Sequence, residues 1–330
     1  MGFEMSHFSS SLFREVNETE LKELMVLHFP HDTVKGYSLC QGGLFNTTYR
    51  VDFVNAPSVI LRLGPVHREL LMGYEHDMML TEAEVLRRMK MAEIPCSEVL
   101  FVSTDRVLVD RDYMIVKYID SIPLSSAKLL QEERYRLDVE CGRLLRKMHE
   151  IPCEAFGRAT DVLFGKGYVS FYESVLAEVS DLVGKSSRDG FFTKAESVRI
   201  LAAVRRHKAV LSTCQKPVLC HGDMWSGNVL VKQSEKHCEL AAIIDVDRAY
   251  FGDVDFDLGN PWILSDAFLE GYGIAREELE TRERKIKRTV AALIYFLIEA
   301  YVWHAQYNGE ENAQNGKRAS FEKVEILEYI

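Results

Sequence analysis

Apolar residues in the first third of the chain follow two spacings, one typical of strands and one typical of helices. The helical spacing covers residues 19–28 and 75–91, and Pro95 closes the turn after the second stretch. Segments rich in β-branched and alternating apolar residues predict strands. These segments are 37–53, which holds two short strands joined through Gly42-Gly43, then 58–63, 98–102 and 106–119. The pattern predicts a meander of strands with accompanying helices.

The pattern changes at residues 120–123, which read Asp-Ser-Ile-Pro and have the composition of a linker. Helical spacing dominates beyond this point and covers 135–149, 169–182 and 195–211. Polar, glycine-containing stretches at 184–190 and 308–320 predict exposed loops. We therefore predict an α+β chain with two lobes. Residues 1–120 form the first, with an antiparallel sheet, and residues 121–330 form a mainly helical second lobe.

The most apolar run, residues 290–303, is too short to cross a bilayer and contains Glu299, so we expect a buried helix there. Residues 1–11 lack the basic flank and apolar stretch of a signal peptide, which favours a cytoplasmic location. The seven cysteines are scattered, without the spacing of a zinc or redox pair. We expect them to be reduced and mostly buried.

Acidic residues outnumber basic residues by 50 to 40 in this 330-residue chain, and the formal net charge is −10. This charge opposes binding to nucleic acids and to anionic membranes. It favours a small, cationic partner. Roughly half of the residues are apolar, as in globular proteins.

Residues 218–259 contain the residues with the clearest chemistry. A polar loop with His221, Asp223 and Asn228 leads into an apolar strand, and a second strand, 240–244, ends on Asp245. Phosphoryl transfer requires an oriented hydroxyl and a metal ion that bridges the phosphates, and Mg²⁺ prefers oxygen ligands of this kind. We expect Asp223 to accept or orient the proton of the attacking hydroxyl. Asn228 and Asp245 are the expected metal ligands.

The motifs HGDMWSGNVLV and IIDVDRAYFGD resemble those of the aminoglycoside phosphotransferase and choline kinase-like family, a branch of the protein-kinase fold. The HGD-x-W-x-G-N form is also similar to that of fructosamine kinases, whose metal-aspartate motif differs from IDVDRA. The resemblance implies a bilobal fold, with Asp223 as catalytic base and Asn228 and Asp245 as magnesium ligands. It also implies that His221 braces the loop backbone and that Asp257 is a structural acid.

By the same resemblance, the first lobe holds the triphosphate. The loop with Gly42, Gly43 and Asn46 lies where a phosphate-covering loop is expected, although a glycine pair also fits an ordinary hairpin turn. Arg62 matches the phosphate-binding cation, at a position where many relatives have lysine. This departure keeps the charge and changes its geometry.

The resemblance assigns the carboxylate that positions this cation to Glu82, with Glu84 as the second choice. Glu82 lies nearer the apolar stripe of its predicted helix, although a solvated charge is the plain alternative. The hinge strand that binds the nucleobase through its backbone corresponds to residues 113–119, with Lys117 and Ile119 as contacts. Both ATP and GTP fit this pattern.

Relatives that phosphorylate antibiotics bind amino sugars through acids in the second lobe. Asp266, Glu270 and Glu299 are the corresponding candidates here. Asp266 and Glu270 share a helical face, although such a pair is usually solvated surface, and Glu299 equally fits a buried carboxylate with a structural partner. The resemblance predicts an ATP- or GTP-dependent, magnesium-requiring kinase of an aminoglycoside or related amino-sugar antibiotic. Rival acceptors are ketosamines, choline, homoserine and methylthioribose, and the rival from another class is a nucleotide-binding pseudokinase.

Overall fold

The computed structural model describes residues 9–40, 43–234, 237–260 and 262–330. Its first sheet has five antiparallel strands in the order β1-β2-β3-β5-β4. The strands are β1 (Val34–Leu39), β2 (Thr47–Phe53), β3 (Val59–Leu63), β4 (Val99–Ser103) and β5 (Tyr113–Lys117). Alternate residues of β2 and β3 are buried, as expected for strands that cover a core with one face.

Two helices pack beside this sheet, α1 (Glu18–His28) and α2 (Met78–Met91). Asn17 and Glu20 form a capping box that satisfies backbone N–H groups at the start of α1. Leu21, Leu24 and Met25 of α1 join the apolar core of the sheet. Helix α2 begins three residues later than the sequence predicts, because the single helical turn Gly73–Glu75 precedes it.

Two smaller sheets connect the first sheet to a helical second part. One has the order β10-β9-β6 and the other β7-β11-β8. Their strands are β6 (Ile122–Pro123), β7 (Gly157–Arg158), β8 (Val218–Cys220), β9 (Val229–Gln233), β10 (Cys238–Ile243) and β11 (Tyr250–Gly252). The predicted linker at 120–123 is therefore not free chain, because β6 pairs with β9. The predicted lobe boundary falls between β5 and β6.

The second part is mainly helical, with α11 and α12 packed extensively on each other. Its helices are α3 (Gln131–Met148), α4 (Ala159–Leu163), α5 (Phe171–Arg188), α6 (Lys194–Arg206), α7 (Lys208–Leu211), α8 (Asp255–Leu258), α9 (Asp266–Tyr272), α10 (Arg276–Leu279), α11 (Arg282–Tyr301) and α12 (Glu310–Tyr329). Within the described residues, no helix has the length and apolar content required to cross a membrane.

The two segments predicted as loops, 184–190 and 308–320, are largely helical because of tertiary packing. Helix α5 continues through residues 184–188 because Val179, Leu182 and Val183 extend its buried face, which offsets the roughly 1 kcal/mol cost of one helical glycine. Helix α12 covers 310–320, where small residues form its buried face. A Cβ at Gly316 would lie 2.8 Å from the backbone nitrogen of Ala300, so glycine permits close contact with α11. The strand predicted over 106–119 is confined to Tyr113–Lys117.

Candidate active site

Asp257 fixes the loop that follows β8. Its Oδ2 accepts a hydrogen bond from the His221 backbone N–H at 2.7 Å, and its Oδ1 accepts one from the Gly222 N–H at 2.8 Å. The His149 Nε2 lies 3.0 Å from Oδ2. Burial opposes ionisation of this carboxyl, but these donors outweigh burial and lower the pKa of Asp257. The buried carboxylate holds the loop backbone in one conformation.

Gly222 allows this loop to turn against the segment after β10. Its φ is +81°, in the left-handed region that favours glycine. A Cβ there would lie 2.0 Å from the carbonyl oxygen of Arg248. Glycine at this position therefore brings the His221–Asp223 turn and the Asp245–Arg248 segment into direct contact.

His221 and Asn228 join the two ends of the loop. The His221 Nδ1 accepts from the Asp223 N–H at 3.3 Å, and its Nε2 is 3.1 Å from the Ile244 carbonyl oxygen. Burial lowers the pKa of His221, consistent with a neutral ring that accepts at Nδ1 and donates at Nε2. The Asn228 Nδ2 donates to the Asp223 carbonyl oxygen at 2.8 Å, which directs the opposite, oxygen side of the amide away from the loop backbone.

The Asp223 carboxyl lies in the cavity between the first sheet and the helical part. One of its oxygens, Oδ2, is 3.5 Å from the Asn228 Nδ2. Burial raises the pKa of Asp223 to about 7, and Arg248 opposes this shift while Asp245 and Glu299 add to it. A carboxyl with such a pKa exchanges protons near neutral pH, as a general base must.

Asp245 stands at the end of β10 in a left-handed conformation, with φ of 64°. Arg62 of β3 connects to it, because the Arg62 Nη2 donates to the Asp245 Oδ1 at 3.3 Å while its Nη1 pairs with Glu82 of α2. Burial opposes the Arg62 charge, but neighbouring carboxylates raise its pKa overall. Glu84, the second choice for this pairing, instead bonds to Arg87 and Arg88 on the outer side of α2.

Sequence reasoning did not single out Asp247 and Arg248, which also line this cavity. Burial and the Asp245 and Glu82 carboxylates raise the pKa of Asp247 well above its usual value. The Arg248 Nη1 donates to the Glu299 Oε1 at 3.1 Å. Both residues lie within three positions of Asp245 in the motif, and their polarity within an apolar context was the available signal.

The cavity has a volume of about 580 Å³ and contains most of the predicted nucleotide contacts. Those on its wall are Gly43, Asn46, Arg62, Glu82, Lys117 and Ile119. Gly42 lies outside the described residues. The buried Asn46 Oδ1 has no hydrogen-bond partner among the described residues. Because an unpaired buried polar atom is costly, this atom is a candidate for contact with a ligand or water.

The hinge residues present backbone groups to the same cavity. The Lys117 N–H already donates to the Glu98 carbonyl at 2.9 Å, and the Ile119 carbonyl accepts from the Ser121 hydroxyl at 2.9 Å. The Lys117 N–H and the Ile119 carbonyl are therefore already hydrogen-bonded within the chain.

Two of the three predicted acceptor residues lie elsewhere. Asp266 pairs with Arg276 at 2.6 Å on the surface, and Glu270 accepts from the Tyr135 hydroxyl. Neither is among the described residues that line the two large cavities. Their polarity reflects a solvated surface, so we do not assign them to the acceptor. Glu299 lies on the second cavity.

The donors beside Arg62 suit a divalent cation. Asp245, Asp247 and Glu82 are three carboxyl groups in one partly buried cluster, and Arg62 is the cation in contact with it. Asn228, whose Nδ2 bonds to the Asp223 carbonyl oxygen, would supply a neutral amide oxygen. Hard oxygen ligands with an excess of negative charge are what Mg²⁺ requires. The residues present therefore fit a magnesium site.

An antiparallel sheet above a mainly helical part, with a polar cavity between them, defines the bilobal protein-kinase-like fold and confirms the predicted α+β class. The model of the phosphotransferase enzyme family matches residues 37–286. The chain therefore belongs to that family and is an enzyme that transfers phosphate to hydroxyl groups, which confirms the resemblance seen in the sequence. A comparison with curated proteins found no match.

Solved structures agree on the fold. Aminoglycoside 2'-phosphotransferase-IIIa in complex with GDP superimposes with a TM-score of 0.65 at 14% identity, covering 94% of this chain and 99% of that one. Aminoglycoside phosphotransferase APH(4)-Ia gives 0.65 at 17% identity, with 94% and 99% covered. A proposed fructosamine-3-kinase from Thermobifida fusca YX-ER1 gives 0.60 at 15% identity, with 93% and 100% covered.

Proposed function

We propose that this enzyme uses Mg²⁺ and transfers the terminal phosphate of ATP or GTP to a hydroxyl of a small molecule. One observation carries the proposal. Asp223 and Asp245 line the cavity that also contains the Arg62–Glu82 pair, and Asn228, just before β9, bonds to Asp223. This is the set of groups that phosphoryl transfer requires.

In the proposed reaction, Asp223 receives the proton of the acceptor hydroxyl. The hydroxyl oxygen forms a bond to the terminal phosphorus, the bond from that phosphorus to the β,γ-bridging oxygen breaks, and the nucleoside diphosphate leaves. The ionised form of Asp223 is required. Its pKa of about 7 makes this form available at neutral pH.

Asn228 and Asp245 are the proposed magnesium ligands, and Asp247 is a further carboxylate beside them. When bound, Mg²⁺ neutralises charge on the phosphates. Arg62, held by Glu82, contacts the phosphates, and Gly43 and Asn46 cover them. The proposed nucleobase contacts are the Lys117 carbonyl and the Ile119 N–H.

Ligands of the structural relatives support a nucleotide and a hydroxyl-bearing acceptor. The 2'-phosphotransferase-IIIa forms a complex with GDP and kanamycin. A mutant of APH(4)-Ia forms a ternary complex with ADP and hygromycin B. Both ATP and GTP are therefore tested as phosphate donors. Amino sugars, the acceptors predicted from the sequence, form one group of test compounds, and the metabolic acceptors form another.

The experiment is nucleoside diphosphate release with Mg²⁺ and ATP or GTP, measured against aminoglycosides, ketosamines, choline, homoserine and neutral alcohols. We expect acceptor-dependent release that is lost on removal of Mg²⁺ and in Asp223→Asn. The matched control is Asp266→Asn, which changes a surface acid. Nucleotide binding without turnover of any acceptor would favour a pseudokinase and contradict the proposal.

A further inference from the structure

A second cavity, of about 800 Å³, adjoins the proposed nucleotide cavity. Cys40, Gly43 and Leu44 border both cavities and therefore lie between them. Arg248 links the two as well, because it lines the first cavity and bonds to Glu299 of the second. An acceptor in the second cavity would therefore have its nearest end at the phosphate-transfer groups. The volume of the second cavity is within the range of binding sites for drug-sized molecules.

Aromatic side chains dominate the walls of this second cavity. They are Phe13, Trp262, Tyr295, Phe296 and Trp303. Another part of the wall comes from α12, where Asn312, Asn315, Gly316 and Ala319 offer small or uncharged side chains. Trp262 keeps 66% of its surface exposed at the edge of the cavity. Such walls bind ligands by burying apolar area.

The charge of the cavity contrasts with that of the whole chain. Glu299 is the only carboxylate among the described residues that line it. Arg248 donates to Glu299 Oε1 at 3.1 Å, and the Trp303 Nε1 donates to Oε2 at 3.1 Å. The Glu299 charge is thus neutralised from within the protein. A polycation placed here would lose hydration without gaining carboxylate partners.

We infer that the acceptor is an uncharged alcohol with a large apolar or aromatic body, rather than a polycationic amino sugar. This inference rests on the proposed function. The body lies between the aromatic side chains and α12. The hydroxyl lies toward Asp223, where Arg248 and Glu299 mark the junction of the two cavities.

Calorimetric binding to the full chain with Mg²⁺ and AMP-PNP tests the inference. The probes are 2-naphthyl β-D-glucoside, methyl β-D-glucoside, kanamycin and choline. We expect the naphthyl glucoside to bind at least about tenfold more tightly than the other three. Its affinity should change by less than about twofold between about 50 and 500 mM NaCl, and its binding should show a negative heat-capacity change.

Substitutions in the second cavity test where the naphthyl glucoside binds. Trp262→Ala and Phe296→Ala should each weaken naphthyl glucoside binding roughly tenfold, because each removes aromatic area from the cavity. Tyr329→Ala is the matched control, because Tyr329 is 94% exposed and is not among the lining residues. Thermal unfolding verifies that each variant folds. The exposed Trp262 position allows the test even where Phe296→Ala is unstable.

Three results would each overturn the inference. They are tighter binding of kanamycin or choline than of the naphthyl glucoside, no binding of the naphthyl glucoside, and unchanged naphthyl glucoside affinity in both aromatic variants. Separate titration with AMP-PNP distinguishes this failure from failure of the proposed function. If AMP-PNP binds with Mg²⁺ and only the acceptor prediction fails, the phosphotransferase site stands. If AMP-PNP does not bind, the nucleotide assignment itself is contradicted.

Discussion

Arg62 and Asp245 are 183 positions apart in the sequence, yet the Arg62 Nη2 donates to the Asp245 Oδ1 at 3.3 Å. The contact joins β3 of the first sheet to the end of β10. Glu82 holds the other side of the same guanidinium. A cation from one lobe and a proposed metal ligand from the other thus meet at the site where the phosphates are expected.

Arg62→Ala should weaken Mg²⁺-nucleotide binding by roughly ten- to a hundredfold, because it removes a charge-assisted contact and leaves Glu82 buried without its partner. Arg62→Lys should weaken nucleotide binding less than Arg62→Ala, because lysine keeps the positive charge but not the bidentate hydrogen-bonding geometry. Nucleotide titration calorimetry measures both. Arg87→Ala, which removes exposed contacts with Glu84 and Met91 on α2, is the control. Equal affinities of Arg62→Ala and the wild type would refute the phosphate role.

Asp223→Asn should lower kcat by about 10²- to 10⁴-fold while Mg²⁺-AMP-PNP affinity stays within about twofold, because the residue acts on the acceptor proton. Single-turnover kinetics and calorimetry separate these two effects. Asn228→Ala should instead weaken the metal-dependent part of nucleotide binding. Normal turnover in Asp223→Asn would remove this residue from the mechanism.

The pH profile should depend on charges around Asp223. Because its ionised form is active, kcat/KM for the acceptor should fall on the acid side. Arg248 lowers the pKa of Asp223, so Arg248→Gln should move this acid limb to higher pH by about one unit. Glu299 raises that pKa, so Glu299→Gln should move the limb to lower pH. Profiles at fixed Mg²⁺ test both directions, and shifts of the same sign would contradict the assignment.

Asp257→Asn should destabilise the protein by about 3 kcal/mol at pH 7, because it removes a buried acceptor that holds two loop amides and His149. Its folded pKa lies below its unfolded value, so its stabilisation is present above the unfolded pKa, about 4, and is lost as pH falls through the folded pKa. Urea unfolding at pH 7 and at falling pH should show the wild type and variant converging. Asp266→Asn should change little.

The sequence indicated which polar residues of the candidate site lie close together, because motif spacing fixes their positions locally. Asp223 and Asn228 are five positions apart on one loop, and Asp245 follows the next strand. The Arg62–Glu82 contact was also expected, but only through the family resemblance. Composition alone does not show that a strand residue and a helix residue face each other.

The sequence-based predictions that were wrong or incomplete have a common physical cause. It is packing between elements that are distant in the sequence. Residues 184–188 and 310–320 have loop-like composition, but the apolar face of α5 and the contact of α12 with α11 make them helical. Glu299 was identified from its position in an apolar helix, whereas its pairing with Arg248 joins residues 51 positions apart. The walls of the second cavity come from separate segments, so no local sequence pattern marked them.

The pairing of β6 with β9 has a mechanical consequence. The Leu124 N–H bonds to the Val229 carbonyl at 2.8 Å, just beyond the hinge, and the Ile243 N–H bonds to the Pro95 carbonyl at 2.8 Å. The chain thus passes between the lobes once, near residues 117–122, and the Ile243–Pro95 hydrogen bond adds a second, non-covalent link between them. This second link should restrict free rotation about the single covalent connection. Opening of the cleft should be a rocking motion about the line through these two links.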